Sequence, residues 1–156
     1  MEVVYPGEEY VLLAFRTVPY AHEDRYALTI LDMILDNRTA GLINLNLTNA
    51  QAVREAGSYP YFLNDYGAQY LWGSPKAEQS LDEVENLLIE QVEKIKAGEF
   101  EDWIIDAIVN DFTKNEKQRL ETNSARAAFM RDAFTHKVEY EDAVAELERL
   151  GAVTKE

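Results

Sequence analysis

The sequence predicts an α+β domain of two layers, an antiparallel or mixed sheet with helices packed on one face. The prediction rests on the order of the patterns, which runs from a strand-like segment and a helix to a β-hairpin and then to several helices. At 156 residues the chain suits one compact core. Its 47% apolar and 28% charged residues are typical of a globular protein. We therefore expect a single domain over residues 1–156.

The first strand and the first helix come from two apolar segments near the start of the chain. Residues 10–18 form a short run of β-branched, aromatic and aliphatic side chains that ends at Pro19, as a buried strand does. Residues 23–36 repeat apolar side chains at helical spacing, and Glu23 and Asp24 favour the positive end of that helix. The predicted apolar stripe consists of Ala27, Leu31 and Ile34, widened by Leu28 and Leu35.

Residues 41–47 are open to two interpretations. Leu42, Leu45 and Leu47 alternate imperfectly among asparagines, so the pattern fits a strand and a short helix equally well.

A β-hairpin is predicted over residues 53–73. Tyr59 and Tyr61 alternate with small or turn-forming residues before the turn sequence at residues 64–67, and the alternation resumes after it. The hairpin gathers five aromatic residues, Tyr59, Tyr61, Tyr66, Tyr70 and Trp72. Cross-strand packing explains such a cluster, and a platform that binds peptides is the alternative.

Helices account for the second half of the sequence. Ser80 and Glu83 form a capping box at the start of a helix that Gly98 is placed to end. Its predicted apolar face consists of Leu81, Val84, Leu88, Val92 and Ile95.

Three further helical segments follow. One runs from about Asp102 to Glu121, with a break expected near residues 122–124, and the others cover residues 125–134 and 141–150. The predicted apolar face of the first comprises Trp103, Ile104, Ala107, Ile108 and Phe112. Leu88 and Ile108 are therefore expected in the core.

Charge excludes several classes of partner. The chain has 15 Lys and Arg against 29 Asp and Glu, a net charge of -14, which repels nucleic acid and anionic membranes. We expect no nucleic-acid partner and no membrane contact from this domain. No cysteine is present to form a disulfide, a thiolate metal site or a nucleophile.

Only His22 and His136 supply imidazole groups. Residues 136–139 read His-Lys-Val-Glu, which is close to the His-x-x-Glu-His pattern of a zinc peptidase helix, but Tyr140 stands where the second ligand is needed. We therefore expect no metal site, no cofactor and no catalytic residue in this chain.

Several segments in order resemble one protein family. Residues 9–16 (EYVLLAFR) are similar to its opening strand, residues 23–37 to its first helix and residues 41–43 to the following turn. Residues 80–100 and then 102–121, with Asn123 and Arg126, are similar to its long paired helices. In order and spacing the chain resembles the pitrilysin/insulinase family of zinc metallopeptidases, and specifically its inactive, C-terminal type of domain. The resemblance covers nearly the whole chain.

The resemblance implies a domain that closes a peptide-binding chamber. In such peptidases homologous α+β domains pair as a clamshell, and only one of them carries the His-x-x-Glu-His zinc site. Some closing domains also contact substrate through an Arg seven residues before a Tyr. Ala52 stands seven residues before Tyr59, and Arg54 stands five before it, so that role does not transfer directly. Arg54 and Tyr59 remain the residues to test for substrate binding.

The expected partners are thus a homologous catalytic domain and a peptide substrate, with homo-oligomers an open alternative. Zinc is expected in the parent protein's catalytic domain, and a periplasmic or secreted location is suspected for that parent. The chain is expected to be a fragment of a larger multidomain protein and inactive alone. A catalytically dead assembly or scaffold subunit of the same fold is the alternative function, and an unrelated acidic binding module is a third.

Overall fold

The computed structural model describes residues 7–155, which form a three-stranded sheet and six α-helices. In chain order the elements are β1 (Val11–Thr17), α1 (Arg25–Leu35), a π-helical turn (Asn44–Asn49), β2 (Glu55–Phe62), β3 (Gly67–Ser74), α2 (Leu81–Lys96), α3 (Trp103–Arg119), α4 (Asn123–Thr135), α5 (Tyr140–Val144) and α6 (Glu146–Gly151). The predicted α+β class, the first helix and the hairpin are confirmed, and so is the position of the first strand. The predicted burial of that strand is wrong, because β1 lies at an edge of the sheet and none of its residues is buried.

The sheet is antiparallel throughout, with β3 between β1 and β2. Leu71 of β3 stands opposite Leu13 of β1 and Ser58 of β2. Because side chains alternate along a strand, these three residues share the face that meets the helices. The opposite face of the sheet carries the intervening residues.

Two apolar clusters form the core. One lies between the sheet and α2 and contains Leu71, Val84 and Leu88, and the other joins α1 to α3 and α6 through Ile30 and Ile108. Leu88 and Ile108 are both buried, as predicted. Helix α1 contributes to both clusters, so it ties the sheet to the later helices.

The ends of α2 are fixed by local chemistry, as the sequence predicts. The Ser80 hydroxyl accepts a hydrogen bond from the Glu83 N–H, and the Glu83 carboxylate accepts one from the Ser80 N–H. At the other end Gly98 has a φ of 70°, and the Glu99 N–H donates to the Lys94 carbonyl at 2.8 Å. This is the left-handed helix stop that favours glycine.

The apolar stripe predicted for α1 is wrong in part. Ala27 is exposed, and the buried face of α1 is centred on Tyr26, Ile30 and Ile34. Helix α1 packs on the sheet, on α2, on α3 and on α6. Its buried face is therefore broad, and the spacing of apolar residues in the sequence does not show where that face is centred.

Trp103 is a second correction, because 61% of its surface is exposed. Residue 103 is rotated by about 100° around the helix axis from Ile104, whose face packs on the core. The stripe of α3 therefore runs through Ile104, Ile108 and Phe112 without the tryptophan.

The segment left open at residues 41–47 is helical. The Asn37 side-chain oxygen accepts hydrogen bonds from the N–H groups of Thr39, Ala40 and Gly41, which turns the chain into the helical segment. A Cβ at Gly41 would lie 2.5 Å from the Leu35 carbonyl oxygen, so a larger residue cannot make this turn without displacing the backbone.

The later helices differ only in detail from the prediction. The break near residues 122–124 is a helix start, where the Thr122 hydroxyl accepts from the Ala125 N–H at 3.3 Å. The helix predicted over residues 141–150 divides at Ala145 into α5 and α6.

Candidate functional site

The face of the sheet that points away from the helices carries an aromatic surface. Leu71 is buried on the helix side, so its neighbours Tyr70 and Trp72 lie on the other side. The open face, which we define by its larger side chains, comprises Leu12, Tyr59, Tyr61, Tyr70 and Trp72. Leu12, Tyr59 and Tyr61 are among the exposed large apolar residues of the chain.

The tyrosines of this open face form an ordered stack. Tyr59 and Tyr70 stand directly opposite each other on β2 and β3, and their ring centroids are 5.0 Å apart with an angle of 22° between the planes. Neighbouring strands hold the two rings side by side on the open face. Such a surface can bind apolar side chains and peptide planes, but it offers no nucleophile.

Arg54 lies immediately before β2. Its N–H donates to the Ser74 carbonyl at 3.0 Å, and its guanidinium forms an ion pair with the Glu8 carboxylate. The hydrogen bond from Arg54 lowers the pKa of Glu8. Arg54 lies one residue outside β2, and Tyr59 lies within it. The two predicted site residues have different partners, Glu8 for Arg54 and Tyr70 for Tyr59.

Tyr61 is a candidate that the sequence analysis missed. It stands seven residues after Arg54, which is the spacing that the resemblance describes. Counting seven residues back from Tyr59 reaches Ala52. Counting seven residues forward from Arg54 identifies Tyr61 instead. Tyr61 is 54% exposed and shares the open face with Tyr59.

A buried polar cluster on the helix side holds β2 and β3 against α1. The Asp32 carboxylate oxygen Oδ1 accepts hydrogen bonds from the Ser58 hydroxyl at 2.7 Å and from the Gln69 amide at 2.6 Å. Burial raises the pKa of Asp32, and the two hydrogen bonds oppose that rise. The cluster fixes the strands whose opposite sides carry Tyr59 and Tyr70.

The two histidines do not fit a zinc site. The His22 ring nitrogen Nδ1 accepts from the Asp24 N–H at 3.1 Å, whereas the His136 ring stacks on Tyr20 with centroids 3.8 Å apart. The chain turns sharply after His136, since Lys137 has a φ of 57°, so residues 136–140 do not lie on one helix as the zinc pattern requires. Among residues 7–155 no three His, Asp or Glu side chains are grouped so as to hold a metal ion.

The helices of the described region also include none with the length and apolarity needed to cross a bilayer.

Comparison with known proteins gives a family and a fold. Residues 2–112 match the family model described as the peptidase M16 inactive domain. A protease from Helicobacter pylori is similar in structure, with a TM-score of 0.86 at 17% identity over 94% of this chain. The inactive peptidase domain of a proposed zinc protease from Bordetella parapertussis gives a TM-score of 0.79 at 11% identity over 99% of this chain. No curated protein sequence gives a significant match.

The length of the relatives varies. The chain covers 35% of the Helicobacter pylori protease and 85% of the Bordetella parapertussis domain. A chain of Complex III2 from Candida albicans also shares the fold, with a TM-score of 0.72 at 10% identity over 94% of this chain and 37% of that one. The family model extends over most of the sequence, from before β1 into α3. The chain belongs to the peptidase M16 inactive-domain family.

Proposed function

We propose that this domain closes the peptide-binding chamber of a zinc metallopeptidase whose catalytic domain lies elsewhere. The family assignment supports the proposal, as does the mismatch between the two histidines and a zinc site. The observation that carries it is the open face, an exposed aromatic surface on the side of the sheet opposite the helix layer. A domain that hydrolyses nothing can still orient a peptide for a neighbouring zinc site.

In this proposal the open face contacts the substrate. The Tyr59 and Tyr70 rings supply apolar area at low entropic cost, because each side chain has only two rotatable bonds. Arg54 supplies a positive charge just before the start of β2, and Tyr61 supplies a hydroxyl group near its end. Arg54 reaches a substrate only after its guanidinium leaves Glu8.

The isolated chain should bind no stoichiometric zinc and cleave no peptide. A hydrolytic zinc site needs three protein ligands and an adjacent base, and His22 and His136 have separate surroundings. Elemental analysis after dialysis and a fluorogenic peptide assay test this. One tightly held zinc per chain that disappears in the His136→Ala variant would contradict it.

The open face is tested in the presence of a catalytic partner, the polypeptide or domain of the same protein that carries His-x-x-Glu-His. Replacing Tyr59 or Tyr70 by Ala should lower kcat/KM for peptide hydrolysis about fivefold, since one aromatic contact is worth about 1 kcal/mol. Zinc content should stay constant. The matched control is Phe134→Ala, which removes an aromatic side chain that is 84% exposed on α4.

The alternative is a catalytically dead assembly subunit, a function suggested by the fold shared with a chain of Complex III2. In that case the intact assembly has no peptidase activity for Tyr59→Ala to reduce. Equal kcat/KM for Tyr59→Ala, Phe134→Ala and the unmodified protein in an active assembly would also reject the chamber role.

A further inference from the structure

A cavity lies on the helix side of the sheet, away from the open face, and Phe62 at the end of β2 forms part of its lining. Its volume is about 730 Å³, and five helices, α1 and α3 to α6, surround it. Leu150 and Arg25, both buried, form part of its lining, and Phe112, Phe129 and Leu147 add apolar side chains. Cavities of roughly 300–1,000 Å³ lined in this way are the usual size for small ligands.

The charges beside the cavity differ from those of the whole chain. Residues 114–131, at the end of α3 and the start of α4, contain five basic and two acidic residues, a surplus of three positive charges. The complete chain carries a net charge of -14. Within the lining itself the charged residues are Arg25, Arg119 and Arg126 against Glu116 and Glu146, a surplus of one positive charge that favours an anion.

One of the three arginines in the lining has no ion-pair partner among the residues described. Arg25 is paired with Glu146 at 2.8 Å, and Arg119 binds Glu116 through two hydrogen bonds of 2.8 Å. The Arg126 Nε donates to the Leu120 carbonyl at 2.6 Å, and no carboxylate within residues 7–155 forms an ion pair with it. That hydrogen bond holds an uncompensated guanidinium beside an apolar cavity.

We propose that this cavity binds a small amphipathic monocarboxylate, such as a medium-chain fatty acid. The hydrocarbon part packs against Phe112, Phe129 and Leu147, and the carboxylate pairs with Arg126. Burial of the chain removes apolar surface from water, while the guanidinium compensates the charge of the head group. Met130, Tyr140 and Val144 in the lining are more than half exposed, so the cavity is open to solvent on one side and its volume admits a small molecule directly.

Octanoate and 1-octanol are suitable probes, because they have equal chain length and differ in charge. In an NMR titration of the 156-residue chain, octanoate should give saturable shifts at residues of α3 to α6. Its Kd should be about fivefold lower than that of 1-octanol, the ratio expected for one exposed charge pair. In the Arg126→Gln variant the two values of Kd should become equal.

The matched control is Arg131→Gln, on the same helix, whose guanidinium pairs with Asp132 and does not line the cavity. It should keep the fivefold preference. A second variant, Val144→Asp, places a carboxylate at an exposed lining position and should weaken octanoate binding more than octanol binding.

Three results would overturn the proposal. They are shifts confined to the open face, absence of saturation with either probe, and equal loss of preference in Arg126→Gln and Arg131→Gln. Displacement of octanoate by an acidic amphipathic peptide of higher affinity would instead mark the cavity as a protein interface and reject the small-molecule assignment.

Discussion

Asp32 is a carboxyl group placed almost completely out of contact with water. Its hydrogen-bond partners, Ser58 and Gln69, are 26 and 37 residues away in sequence, and no Lys, Arg or His among residues 7–155 forms an ion pair with it. Burial is the largest cause of its raised pKa, so the folded protein holds the Asp32 proton to a higher pH than the unfolded chain does. From sequence alone Asp32 is one polar position in a helix, because nothing local indicates its distant partners.

The first prediction is that Asp32→Asn changes how stability depends on pH. With a raised folded-state pKa, the native state binds more protons than the unfolded state in the window above the ordinary Asp pKa of about 3.9. The contribution of Asp32 to the stability of the unmodified protein therefore falls as the pH rises from about 4 towards neutrality, and the Asn variant lacks that contribution. Urea unfolding of both proteins from about pH 4 to 7 measures this. The free energy of unfolding of the Asn variant, relative to that of the unmodified protein, should increase as the pH rises.

Asp32→Ala serves as the control for the loss of hydrogen bonds. It leaves the Ser58 hydroxyl and the Gln69 amide without an acceptor, which should cost about 1–3 kcal/mol at every pH. If the free energy of unfolding of the Asn variant, relative to that of the unmodified protein, decreased over the same pH range, the fold would stabilise the charged form of Asp32.

Among the helices and strands, α2 is the one whose two ends are determined by residues close to them in sequence. The reciprocal hydrogen bonds of Ser80 and Glu83 start it, and the left-handed conformation of Gly98 ends it. Both signals lie within a few residues of the helix end that they determine. That locality explains why the sequence predicts these boundaries correctly.

Removing the cap with Ser80→Ala should lower the free energy of unfolding by about 1 kcal/mol, since the Glu83 N–H loses its acceptor. The matched control is Glu85→Ala, an exposed position on the same helix, which should stay within about 0.5 kcal/mol of the unmodified protein. Chemical denaturation of both variants measures the difference. Equal stabilities would mean that tertiary packing alone fixes the start of α2.

Features that depend on distant parts of the chain are less predictable from sequence. The prediction of the hairpin is correct because its turn sequence and its alternation of side chains are local signals. The predicted burial of Ala27 and Trp103 is wrong because the elements that pack on a helix determine which of its faces is buried. Residues 41–47 are helical because Asn37 caps three successive N–H groups, a contact that apolar periodicity does not contain. In the candidate site, the pattern identifies Tyr59, but its stack on Tyr70 requires the strand register.

At the scale of the whole molecule, two apolar clusters share one helix. Helix α1 places Leu35 in the cluster beneath the sheet and Ile30 and Ile34 in the cluster with α3 and α6. Loss of packing in either cluster therefore weakens the environment of α1, which also contacts the other. We expect the two layers to unfold together.

Leu88→Ala and Ile108→Ala test this coupling, because each creates a cavity in one cluster only. Each should cost about 2–5 kcal/mol and shift a single cooperative transition that circular dichroism and tryptophan fluorescence report alike. Leu45→Ala, at an exposed position, should change stability by less than about 0.5 kcal/mol. Two separate transitions in either core variant would show that the layers fold independently.

The outer edge of β2 is closed to further strands. The Ser58 N–H on that edge donates to the Asp36 carboxylate at 3.1 Å, and Pro60, two residues farther along the same edge, has no N–H to offer. Within the part of the chain that the structure describes, β1 forms the other edge and pairs only with β3. A further strand, from a longer polypeptide or from another molecule, could therefore extend this sheet only beside β1, and it would widen the open face in that direction.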